Sequence, residues 1–195
     1  MRFIFLRHPE TTANEKNLIY GKTDYPYTKR GQQQFEEALD YVERFRFDKI
    51  LTSPLGRAYE LASAVASKMS KELIVHEELE EMNFGIFEGL TEDEAMIKYP
   101  DVHQAFVESF ETTLFPEGES FDVFKNRVEG FVNHYRQSEM DWLVVSHGGV
   151  IRTAIEYLLD NKSGLSWHLE IGNCSIIEIH INEGKPSIIK NILNP

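Results

Sequence analysis

Apolar residues follow two different rhythms along this chain. Short continuous runs, Arg2–Leu6, Lys49–Thr52, Leu73–Val75, Trp142–Ser146 and Ser175–Ile181, are β-branched or apolar and are bounded by turn residues. Such runs predict strands buried on both faces, since a half-exposed strand would alternate apolar with polar positions. Between them apolar positions recur at intervals of three and four. Phe35, Ala38, Leu39, Val42 and Phe45 share one face of a helix that Thr28 can cap. Phe121, Phe124, Val128, Phe131, Val132 and Tyr135 do the same behind Ser120, and Leu55–Met69 and Val150–Leu159 complete the helical set. Strands alternating with helices, without a repeat or a Gly/Ser-rich linker, predict an α/β fold: a three-layer sandwich with a mostly parallel central sheet flanked by helices. Ligands of such sheets bind beyond the carboxyl ends of the strands, so chemistry is sought there.

Length and charge narrow this picture. At 195 residues and 42% hydrophobic content the chain can bury one sizeable core but is short for two, which predicts a single domain over 1–195. A net charge of −12 argues against broad binding to nucleic acid or to an anionic membrane surface, both of which need clustered Lys and Arg. An anionic substrate would therefore have to be met by positive charge gathered in one pocket. The single cysteine, Cys174, cannot form an internal disulfide, and the apolar run Phe3–Leu6 is too short for a signal-peptide core or a membrane span. Both points make the cytoplasm the expected compartment.

Two histidines stand at predicted strand ends. The first strand runs into Leu6-Arg7-His8-Pro9-Glu10-Thr11, and the strand Trp142–Ser146 runs into His147-Gly148-Gly149. Either alone reads as an ordinary structural histidine, but an arginine beside one and glycines after the other point to a shared anion site.

Five motifs in order resemble the histidine phosphatase superfamily, also called the phosphoglycerate-mutase-like family, over essentially the whole chain. They are Arg7-His8-Pro9-Glu10-Thr11-Thr12-Ala13-Asn14; Gly21-Lys22-Thr23-Asp24 leading to Thr28-Lys29-Arg30-Gly31; Ser53-Pro54-Leu55-Gly56-Arg57-Ala58; Glu81-Met82-Asn83-Phe84-Gly85 with Glu88-Gly89; and Ser146-His147-Gly148-Gly149. The resemblance implies a phosphoglycerate-mutase-like fold and a metal-independent phosphomonoesterase without cofactor. It would act on a small phosphorylated metabolite through a phosphohistidine on His8.

The residues suit that chemistry. Phosphoryl transfer needs an in-line nucleophile, positive charge around the non-bridging oxygens and a proton donor for the leaving oxygen. An imidazole nitrogen is a competent nucleophile when a backbone carbonyl holds the ring proton on the other nitrogen. Arg7 and Arg57 offer planar forks for phosphate, His147 and Asn14 further donors, and the amides near Gly148 a helix-start anion site. Glu81 is not distinguishable from Glu77, Glu78 and Glu80 as part of a solvated acidic face. The resemblance alone singles it out as the acid that protonates the leaving group and then activates water.

The chain departs from the family at Pro9, where a glycine usually follows the catalytic histidine. Proline removes an amide donor but keeps the carbonyl that sets the tautomer. Tyr27, where leucine is common, reads as a core substitution without chemical meaning. Asp101-Val102-His103 looks like a metal-ligand pair but has no companion cluster, so no metal is expected.

Three function classes share the fold: phosphatase, phosphoglycerate-type mutase and inactive docking module. Family mutases carry a longer insertion between the acid motif and the last histidine motif, and all the catalytic residue types stand in place here, so the phosphatase is favoured. Residues 90–119 are expected to form a cap-like insertion over the site, offering Tyr99, Phe106, Phe110 and Phe115 but only Lys98 as a base. These aromatics either face an apolar leaving group or pack the cap. The stretch Trp167-His168-Leu169-Glu170-Ile171-Gly172-Asn173-Cys174-Ser175, with Glu183-Gly184, resembles the α-ribazole-5′-phosphate phosphatases, which makes α-ribazole-5′-phosphate a candidate substrate.

Overall fold

The computed structural model describes residues 1–160, 170–182 and 185–192. Trp167, His168, Leu169, Glu183 and Gly184, part of the stretch compared with α-ribazole phosphatases, lie outside them. The chain forms β1 (Arg2–Arg7), the one-turn α1 (Thr12–Glu15), α2 (Lys29–Tyr41), β2 (Lys49–Thr52), α3 (Gly56–Met69) and β3 (Leu73–Val75). There follow α4 (Glu92–Lys98), α5 (Pro100–Glu108), α6 (Phe121–Tyr135), β4 (Trp142–Ser146), α7 (Gly148–Leu158), β5 (Ile176–Asn182) and β6 (Lys185–Ile192). Thr28 caps α2 and Ser120 caps α6 through their hydroxyls, which accept the Gly31 and Val123 amides.

The strands lie in the order β3-β2-β4-β1-β5-β6. β3, β2, β4 and β1 run parallel, as the sequence predicts, whereas β5 and β6 turn antiparallel to them. The apolar run of β5 carries no information on its direction, because burial on both faces looks the same either way. β6 escapes sequence reading because Lys185, Pro186, Ser187, Lys190 and Asn191 dilute any alternation, and Pro186 is tolerated only because this is an edge strand.

Successive strand residues divide the core into two layers. Ile4, Leu6, Leu143 and Val145 pack with Ala38 and Val42 behind α2 and with Ala58, Leu61 and Val65 of α3. Phe3, Phe5 and Val144 face the opposite way, toward α6 and α7. The chain leaving β1 thus passes to one face of the sheet and the chain leaving β4 to the other. Between those two adjacent strands opens the crevice where sheets of this kind bind ligands.

Candidate active site

The register of β1 against β4 builds the centre of the site. Arg7 pairs with Ser146, so the next residues, His8 and His147, emerge side by side with ring centroids 5.3 Å apart. The backbone of His8 is fixed from both flanks: its amide donates to Ser146 O at 3.0 Å, and its carbonyl accepts Asn173 Nδ2 at 3.1 Å. In the ring, Nδ1 lies 2.7 Å from the carbonyl oxygen of Pro9. That contact requires Nδ1 to carry the proton and leaves the lone pair on Nε2. The carbonyl kept by proline therefore does what the sequence analysis assigns to it. Burial, followed by the charges of Arg7 and Arg57, holds the His8 pKa well below the usual histidine value, so the ring is neutral.

His147 is fully buried behind this wall, and its Nε2 lies 2.8 Å from Ser53 Oγ. Ser53 Oγ already accepts the Leu55 amide at 3.2 Å. Its own proton is best placed on Nε2, which leaves the imidazole proton on Nδ1. Burial, then Arg57 and the neighbouring His8, depresses this histidine as well.

Two arginines supply the positive charge. Arg57, on the first turn of α3, is 3% exposed; its Nη1 donates to Thr23 O at 3.0 Å and to Asp24 Oδ1 at 2.8 Å, and its Nη2 to Gly21 O at 2.5 Å. The motif Gly21-Lys22-Thr23-Asp24, which sequence reasoning left without a role, is thus the clamp that aims Arg57. The guanidinium also lies over the Tyr20 ring, 4.8 Å from its centroid. Arg7 Nη1 donates to Ile171 O at 2.5 Å, and burial lowers its pKa. Both forks are partly engaged with protein, unlike the free forks the sequence suggests. Among the described residues, the buried side-chain groups without a partner include Nε of Arg7, Nε of Arg57 and Nδ1 of His147. Two of these belong to arginines that line the same cavity as His8, and buried positive donors left unpaired there ask for an anion.

Asn14 lines the same cavity. Its Oδ1 is occupied by Thr11 N, Thr11 Oγ1, Tyr20 OH and Asn173 Nδ2 at 2.9–3.2 Å. Glu81 departs from its acidic neighbours: Lys22 pairs with Glu80, and His76 with Glu78, on the outer side. The Glu81 carboxylate instead accepts the Gly149 amide at 2.9 Å and the Met82 amide at 3.1 Å. Gly149 must be glycine for this, because a Cβ there would collide with the Glu81 carboxylate. Arg7, His8, Asn14, Arg57, Glu81 and Gly148 line one cavity of about 660 Å³.

Much of the remaining lining is apolar, with Met82, Phe84, Phe106, Phe110, Phe121 and Phe124 beside the charged Glu92 and Arg152. The cap aromatics split between the two roles open to them. Phe106 and Phe110 face the cavity, whereas Phe115 is 1% exposed and Tyr99 stacks on Phe87. His103 packs among Phe87 and Phe106, and among the described residues no group of three or more potential ligands could hold a metal. Tyr27 is more than a core filler: its hydroxyl donates to Arg57 O at 2.7 Å. Ser53, Asp24 and Arg152, which also lines the cavity, were not singled out from sequence, and Tyr27 was named there only as a core substitution. Ser53 meets His147, and Asp24 and Tyr27 meet Arg57, tens of residues away, and only Ser53 and Asp24 sit inside a quoted motif.

A family model described as the histidine phosphatase superfamily, branch 1, matches residues 3–192. The adenosylcobalamin/α-ribazole phosphatase of Escherichia coli K12 is 30% identical, over 94% of this chain and 91% of that protein. Phosphoserine phosphatase 1 of Hydrogenobacter thermophilus is 30% identical, over 97% and 91%. The crystal structure of the α-ribazole phosphatase from Shigella flexneri superposes with a TM-score of 0.90 at 29% identity, covering 100% of this chain and 96% of that one.

Proposed function

Because the chain belongs to the histidine phosphatase superfamily, we propose that it is a phosphomonoesterase that works through a covalent phosphohistidine on His8. The substrate phosphate sits between Arg7, Arg57, Asn14, His147 and the amides at Gly148. His8 Nε2 attacks phosphorus in line as the bond to the leaving oxygen breaks, and Glu81 gives that oxygen a proton. Water then attacks the phosphohistidine, the Glu81 carboxylate takes the proton, and inorganic phosphate leaves with His8 restored. The observation that carries this reading is the 2.7 Å contact of His8 Nδ1 with Pro9 O, which leaves a neutral ring with its Nε2 lone pair in a cavity where buried arginine Nε groups lack partners. The arginines provide the charge stabilisation that other phosphatases take from a metal. With His8, Glu81, His147 and both arginines assembled, an inactive docking module is disfavoured.

Residues 90–119 act as a cap on a catalytic unit spanning 1–195, and the apolar wall they share with α6 receives the leaving group. A leaving group with an aromatic or apolar body fits that wall, and α-ribazole-5′-phosphate is the leading candidate. The cytoplasm suits a chain whose one thiol, Cys174, is buried and pushed up to about 12. The test is turnover of a panel of phosphomonoesters in excess chelator, including α-ribazole-5′-phosphate, phosphoserine and nitrophenyl phosphate. We expect undiminished activity in chelator and the highest kcat/KM on aromatic leaving groups. Restoration of activity only by a divalent cation would overturn the mechanism, and a preference for phosphoserine would overturn the substrate class.

A further inference from the structure

The segment that carries Glu81 has no strand or helix to hold it, since β3 ends at Val75 and only one-turn 3-10 segments, Glu77–Leu79 and Gly85–Phe87, flank it. Ser146 Oγ donates to Leu79 O at 2.8 Å, and the carbonyls nearest Glu81 are gripped by one side chain of α6. Arg127 Nη1 donates to Glu78 O at 2.9 Å and to Glu80 O at 2.7 Å, and Nη2 donates to Glu81 O at 3.1 Å. The remaining donors go to Glu119, with Nη2 to Oε1 at 2.7 Å and Nε to Oε2 at 3.2 Å. Glu119 Oε1 accepts in turn the amide of Asn83 at 2.9 Å. All five guanidinium donors therefore have a partner, and the pair holds carbonyls before and at Glu81 and an amide after it. The guanidinium also lies 4.8 Å from the ring centroid of Phe124, a residue of the cavity wall.

We propose that the Arg127–Glu119 pair is the positioning device for the proton donor, fixing the backbone from which Glu81 reaches the leaving oxygen. The inference rests on Glu81 being that donor. Arg127 does not line the cavity, so the effect proposed for it passes through Glu81 and not through the phosphate. A lysine cannot replace it, since three donors on a point charge cannot reproduce a planar set of five.

The readout is the dependence of kcat/KM on the leaving group. This parameter covers the steps up to phosphorylation of His8 and excludes hydrolysis of the intermediate. Nitrophenolate leaves with little protonation, whereas an alkoxide needs an acid. Glu81→Gln should lower kcat/KM for an alkyl phosphate about a hundredfold or more, but that for nitrophenyl phosphate less than about threefold. Arg127→Met should show the same selectivity at about ten- to a hundredfold, the range expected when a reacting group is displaced by about an ångström. Arg127→Lys should recover only part of the loss. In a Glu81→Gln background Arg127→Met should add nothing on the alkyl substrate, because the two act in series. Glu119→Gln should show a smaller loss with the same selectivity and carries the test should Arg127→Met fail to fold.

Equal losses on both substrates, no loss on either, or additive losses in the double variant would overturn the clamp. An unselective Glu81→Gln would instead overturn the acid assignment beneath it. The two failures are thus distinguishable.

Discussion

The two ends of the cavity are built on opposite principles. At the phosphate end every side chain is fixed by hydrogen bonds to main chain or to a neighbour in the site: His8 by Pro9, His147 by Ser53, Arg57 by Gly21, Thr23 and Asp24, and Glu81 by Gly149. At the cap end Phe106, Phe110, Phe121 and Phe124 form a run of edge-to-face or tilted ring contacts, and Glu92 is the charged cap residue that shares the lining with them. Directional contacts resist any displacement of the reacting atoms, whereas apolar contacts tolerate differently shaped partners of similar bulk. Under the proposed function, the phosphate end would set the chemistry and the cap the preference among leaving groups.

The largest effect should come from separating these roles by substitution. Arg57→Ala should lower kcat/KM on every phosphomonoester by about a hundred- to a thousandfold, the usual loss of one preorganised donor, irrespective of the leaving group. Phe110→Ala should cost about tenfold on aromatic substrates, since burying a Phe side chain contributes about 1.5–3 kcal/mol and the ring is only part of the wall. It should leave small alkyl phosphates nearly unchanged. Steady-state kinetics on both substrate classes measures the contrast. A uniform loss in Phe110→Ala, or a selective one in Arg57→Ala, would break the division between the two ends.

A smaller effect appears without substrate. His8 and His147 have folded pKa values below the ordinary one. As pH falls through about 6.5 the unfolded chain takes up protons that the folded chain refuses. Stability therefore declines on acidification, by at most about 1.4 kcal/mol per pH unit for each histidine. Thermal melting from pH 8 to 5.5 should show a shallower decline in His147→Gln than in the parent protein. Parallel curves would mean that His147 is not buried as a neutral ring.

The same division explains what could be read from sequence. His8, His147 and the two arginines lie at or just after strand ends, and strand ends are visible in apolar periodicity, so their place in the parallel part of the sheet was legible, whereas the roles expected of them came from the family resemblance. Glu81 was not legible from its own surroundings, because Glu77, Glu78 and Glu80 share its composition. What distinguishes it is a hydrogen bond to the Gly149 amide, 68 positions later in the chain. Ser53, Asp24 and Arg127 were hidden for the same reason: each acts on a partner distant in sequence, and nothing in a linear pattern records such a pairing. The cap aromatics show the converse limit. Tyr99, Phe106, Phe110 and Phe115 share helix-like spacing, and only packing decides that two face the cavity and two the core.

The central claim is that His8 becomes phosphorylated during turnover. Rapid-quench mass spectrometry with nitrophenyl phosphate, performed on Glu81→Gln to slow hydrolysis of the intermediate, should find an acid-labile, base-stable phosphate on the peptide containing His8. His8→Ala should lose both label and turnover. Phosphate on His147 instead, or undiminished turnover in His8→Ala, would contradict the account.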